Sequence, residues 1–157
     1  MDIDTLFGLP AHPLVVHAAV VLLPIAAIGL IVIAFVPRAR RTYGPIVFGV
    51  ALAATVAVGL AQQSGESLEG QVKKTEQVEE HTEQGQTVLP WAIAVTLASA
   101  VVAAEPYLER RIDLPARAVT GVLVAVSLIA GIGATWTVIE VGHSGAASVW
   151  DNADVEP

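Results

Sequence analysis

Four long apolar runs separated by polar stretches organise this chain: Leu14 to Val36, Gly44 to Ala61, Val88 to Ala104 and Ala118 to Val141. A helix needs roughly 20 predominantly apolar residues to cross about 30 Å of hydrocarbon, so each run predicts a membrane span. Together they use most of the sequence. What is left is an acidic head, a central loop over 62–87, two basic connectors and an acidic tail, which predicts one four-span domain over 1–157. The acidic start, Met1-Asp2-Ile3-Asp4-Thr5, and the length of the first run predict a retained helix rather than a cleaved signal.

Helices in lipid associate through close packing of small residues. Gly49, Ala53, Ala57 and Ala61 recur every fourth position in the second run, Ala94, Ala98, Ala100 and Ala104 are spread along the third, and Gly121, Ala125, Gly131 and Gly133 along the fourth. These stripes and the short connectors predict an all-α, integral-membrane four-helix bundle of up-down-up-down topology. Pro24 predicts a kink in the first span. In the central loop, Leu68, Val72, Thr75 and Val78 have helical spacing and predict a short amphipathic helix above the bundle; a solvated acidic hairpin is the alternative.

Composition agrees with a membrane protein: mean hydropathy +0.66, 54% hydrophobic residues and 15% charged. Six of the eight basic residues, Arg38, Arg40, Arg41, Arg110, Arg111 and Arg117, fall in the two connectors, which predicts that these are cytoplasmic. Both termini and the central loop, rich in Glu and Asp, then face the extracytoplasmic side of a bacterial inner membrane. A net charge of -7 without a basic face excludes nucleic acid as a partner. With no cysteine, disulfides, thiolate metal sites and cysteine nucleophiles are excluded too.

On that topology all four histidines, His12, His17, His81 and His143, belong to the extracytoplasmic half. His17 is the sharpest candidate, because an ionisable ring one turn inside hydrocarbon is costly unless neutral and partnered. His12 stands at a helix N-terminus, which favours the neutral imidazole, the form that ligates metals. Trp136, Glu140 and His143 share one face at i, i+4 and i+7, so Glu140 could orient an imidazole, while Trp136, like Trp91 and Trp150, is also expected in an aromatic belt. His81 stands among Glu79, Glu80 and Glu83, with Gly85 leaving its face uncrowded.

The segment Leu9-Pro10-Ala11-His12-Pro13-Leu14-Val15-Val16-His17 resembles the opening of a bacterial membrane-protein family catalogued as domain of unknown function 2231. His81 and the stretch Gly142-His143-Ser144-Gly145 fall where that family places its other histidines, so the resemblance spans nearly the whole chain. The family's usual Phe-Pro after the second histidine is Ala18-Ala19 here, and the central loop is longer and more acidic. The resemblance implies a four-helix membrane fold and leaves activity open. The layer of histidines is also similar to that of four-helix b-type cytochromes.

The leading expectation is a haem b site for electron transfer, with His17 and His81 as the first ligand pair and His12 with His143 as the next. The alternatives are a copper or zinc site using the same histidines with Glu140 or Glu80, and a non-catalytic subunit of a larger membrane complex. The expected partners are the lipid bilayer and a redox protein or larger complex.

Overall fold

The computed structural model of the chain describes residues 5–6, 9–69, 76–108 and 115–150, with side chains over 13–66, 79–108 and 115–146. A two-residue antiparallel ladder, β1 (Thr5–Leu6) against β2 (Leu9–Pro10), precedes five helices. These are α1 (Ala11–Phe35), α2 (Pro37–Glu69), α3 (Glu76–Gln86), α4 (Val88–Leu108) and α5 (Ala116–Trp150). Four segments are long and apolar enough to cross a membrane: Pro13–Phe35, Pro37–Glu66, Glu79–Leu108 and Ala116–Ala146. Helices α2 and α5 overrun their predicted spans at both ends, and α1 continues unbroken through Pro24.

The long helices form a ring in which α1 touches α2 and α5, and α4 touches the same two from the other side. Contacts between α2 and α4 run in opposite senses along the two chains. Gly44 lies against Ala103 and Thr55 against Ala92 and Thr96, which fixes the antiparallel register, and further along α2 Gln62 meets Gly85 of α3, just before α4 begins. Helix α3 closes one end, resting mainly on α5. The chain is an all-α, four-helix membrane bundle.

Its interior is made of small side chains with a few larger aliphatics. Leu23, Ala26, Leu30 and Ile33 of α1 meet Ala51 and Ala54 of α2, Ala92, Val95 and Val102 of α4, and Ala134 of α5. Large aliphatics instead line the outside: Ile25, Ile28 and Val32 on α1, Leu97 and Val101 on α4, Ile129, Ile132 and Ile139 on α5. That inversion suits a lipid surround, where exposed leucine costs nothing and close backbone approach supplies the attraction. The predicted α2 stripe does not face the core as a unit: Gly49 and Ala53 are exposed, and Ala51, Ala54 and Val58 are buried instead. Glycines matter at three crossings. A Cβ on Gly44 would come 2.9 Å from the Ala103 Cα, one on Gly131 would come 2.9 Å from the Ile31 Cδ1, and one on Gly133 would fall within the Trp91 ring.

The α1–α2 corner shows how one basic residue shapes the opposite end. The carbonyl of Ile33 would ordinarily accept from the residue four places on, but that residue is Pro37, which has no N–H. Arg40 supplies the missing donors. Its Nε donates to the Ile33 carbonyl at 3.2 Å and its Nη2 to the Ala34 carbonyl at 2.6 Å. The third branch, Nη1, lies 3.1 Å from Glu105 Oε1, an ion pair off the hydrogen-bond direction, and the arginine is fully buried. Arg38, Arg41 and Arg117 are exposed, Arg41 lying over the Tyr107 ring at 5.8 Å from its centroid. Arg110 and Arg111 lie outside the described residues.

Candidate binding site at the histidine end

A cavity of about 420 Å³ opens at the end away from Arg40. Its lower walls are apolar: Val16, Ala19 and Val20 from α1, Val58 and Ala61 from α2, and Val138 and Val141 from α5. Its upper part is polar, with Gln62 and Glu66 of α2 and His81, Thr82 and Gln86 of α3. The size falls within the roughly 300–1,000 Å³ typical of small-molecule sites, and so does the pattern of an apolar body with a few polar groups.

Helix α3 is tied down on both sides of this opening. Gln62 Nε2 donates to the Gly85 carbonyl at 2.9 Å, holding α3 to α2. On the α5 side, His81 Nδ1 is 3.1 Å from Ser144 Oγ, and that hydroxyl lies 3.2 Å from the Val141 carbonyl, to which it can only donate. With its proton on the Val141 carbonyl, Ser144 Oγ is placed to accept from His81, the arrangement in which Nδ1 carries the hydrogen and Nε2 keeps its lone pair. The ring sits against Gly145, where a Cβ would come 2.9 Å from Cε1.

His17 Nδ1 lies 2.5 Å from the Pro13 carbonyl, which can only accept, so this ring carries a hydrogen on Nδ1. Yet His17 is exposed, beside the cavity-lining Val16 rather than among the lining residues. His143 and Glu140 are exposed as well, and neither lines the cavity. Trp136 is 64% exposed in the outer row with Ile129, Ile132 and Ile139, so it belongs to the surface that meets lipid. Trp91 is half-buried against Gly133 and packs between α4 and α5. The side chains of His12 and Trp150 lie outside the described residues, as do most of the expected amphipathic positions, Val72 and Thr75 among them.

The four histidines therefore belong to segments at one end of the bundle, but among the three with described side chains only His81 lines the cavity. Among the described residues no three His, Asp or Glu side chains gather into a metal-sized group. Ser144 and the polar lining residues Gln62, Glu66, Thr82 and Gln86 were not singled out by the sequence. Ser144 lies three residues after Val141, the spacing at which a helical serine reaches back to a carbonyl, and that was a usable signal. Gln62 closes the α2 side, and nothing in its sequence surroundings marks it.

These features define a multi-pass membrane bundle with a ligand-sized cavity at one end. The chain belongs to the DUF2231 family of predicted membrane proteins, whose family model matches residues 8–153. No curated protein and no solved structure matches it.

Proposed function

We propose that this membrane protein binds haem b in the end cavity with His81 as an axial ligand, and passes electrons at that end of the bundle. The observation that carries the reading is a half-buried imidazole lining an apolar cavity, with Nδ1 engaged by Ser144, which would leave Nε2 to ligate. A metal-bound histidine characteristically donates its other ring N–H to a fixed acceptor, as His81 does to Ser144. The cavity walls, Val16, Ala19, Val58 and Val138, exclude water from a flat apolar face, while Gln62 and Gln86 offer hydrogen bonds to a polar edge. Haem supplies a one-electron couple whose potential follows axial ligation, burial and hydrogen bonding.

His17 is the first choice for the second axial position because it stands next to the cavity-lining Val16 with Nδ1 already engaged, and His12 and His143 are the reserve pair at the same end. Glu140 is then an outer carboxylate. Haem asks for one or two imidazoles, whereas zinc or copper asks for three or four gathered ligands. With the arginine-bearing connectors on the cytoplasmic side, the cavity faces the extracytoplasmic side, where a redox protein or a larger membrane complex would exchange electrons with it. Protein purified from membranes in mild detergent should show a Soret band, and dithionite should sharpen its α and β bands. A colourless preparation that also fails to take up added haemin overturns the reading.

A further inference from the structure

The polar roof of the cavity contains a two-step hydrogen-bond relay from α3 to α5. His81 Nδ1 lies 3.1 Å from Ser144 Oγ, and Ser144 Oγ–H donates to the Val141 carbonyl at 3.2 Å. Only one arrangement of protons satisfies both contacts, because the carbonyl has no hydrogen to give. We propose that Ser144 is the positioning residue of the site: it fixes the His81 tautomer, presenting Nε2 as a bare donor nitrogen to whatever fills the cavity.

A free neutral imidazole prefers its proton on Nε2, the tautomer that cannot ligate through that nitrogen. The relay reverses the preference. Val141 is itself a cavity-lining residue, so the chain of bonds ends in the wall it serves. Gly145 adds a steric seat: its missing side chain leaves room for the ring edge, and a Cβ there would lie 2.9 Å from Cε1, 3.5 Å from Nδ1 and 3.6 Å from Nε2. Meanwhile Gln62 holds the α3 backbone through the Gly85 carbonyl on the α2 side. The roof therefore has an attachment independent of Ser144, and losing the serine hydroxyl frees the tautomer without freeing the helix.

This deepens the haem reading and rests on it for the ligand's identity alone, since the tautomer is a property of the protein before anything binds. The test uses the full chain in detergent micelles, labelled with ¹⁵N-histidine and free of haem, at a pH where imidazole is neutral. His81 is assigned by the resonance missing from His81→Gln. In the wild type, Nδ1 should be protonated and Nε2 bare; Ser144→Ala should shift the population towards the Nε2–H form, and Ser144→Thr, which keeps the hydroxyl, should restore it. Haemin affinity should fall about 10–100-fold in Ser144→Ala, the usual cost of losing such an outer partner, and return in Ser144→Thr. Wild-type His81 carrying its proton on Nε2, or an alanine variant with an unchanged tautomer, overturns the proposal. A relay that behaves as expected in a protein that takes up no haemin removes the haem reading and leaves the role of Ser144 standing.

Discussion

Replacing Arg40 by methionine tests how the arginine end of the bundle is held. The guanidinium makes three polar contacts from a fully buried position, two to carbonyls that the Pro37 break leaves without donors and one to Glu105, which is 13% exposed. Methionine fills the volume but strands the carboxylate and both carbonyls. Removing one partner of a buried pair costs about 3–5 kcal/mol. Arg40→Met with Glu105→Gln removes the stranded charge, so the remaining loss is the two carbonyl bonds, about 0.5–1.5 kcal/mol each. The double variant should therefore be more stable than the single one by about 2 kcal/mol, the difference between those two figures. Arg40→Lys should lie between the methionine variant and wild type, because its ammonium can still pair with Glu105 but cannot serve all three directions at once. The assay is reversible unfolding in dodecyl maltoside titrated with sodium dodecyl sulfate, followed by helical circular dichroism. A single variant within about 0.5 kcal/mol of wild type, or a double variant no better than the single, would show that the corner does not depend on this arginine.

Other substitutions probe the crossings and the site. Gly133→Ala forces a methyl group into the Trp91 ring and should destabilise by about 1–3 kcal/mol, whereas Gly121→Ala, which meets nothing within 4 Å, should be neutral or slightly stabilising in the same unfolding assay. Thr55→Val removes the hydroxyl that contacts the Ala92 carbonyl at 3.1 Å and Thr96 Oγ1 at 2.8 Å, and should cost about 0.6–1.7 kcal/mol, the range for interhelical hydrogen bonds in membranes. Trp136→Leu should leave both stability and haemin uptake unchanged, since the indole lies in the outer row; a lost Soret band in this variant would return Trp136 to the site. Cysteines placed at Ser64 and at Arg38 should label from opposite faces of sealed vesicles, and labelling from one face would contradict the four-span topology.

The spans were legible because a run of apolar residues is a direct statement about solvent. Which face of each span turns inward was less so. In α2 nearly every face carries glycine or alanine, so the fourfold spacing of Gly49 and Ala53 does not single out a face, and the phase is set by the pairing of Thr55 with Thr96 and of Gly44 with Ala103. Arg40 read as a topology signal like its neighbours. The clue to its buried role was Pro37, four residues after a carbonyl that it cannot serve. The clustering of histidines at one end followed from span order. That His81 lines the cavity while His17 and His143 are exposed depends on helix rotation near the ends, where polar residues on every side leave the hydrophobic pattern silent.

The most direct measurement of the central claim is a haemin titration of the purified chain, read in the Soret region, for wild type beside His81→Ala, His17→Ala and His143→Ala. Saturable uptake should appear in the wild type and be lost in His81→Ala, with the variant that changes the low-spin spectrum identifying the second axial ligand. Equal uptake by wild type and His81→Ala, or none by either, would contradict the account.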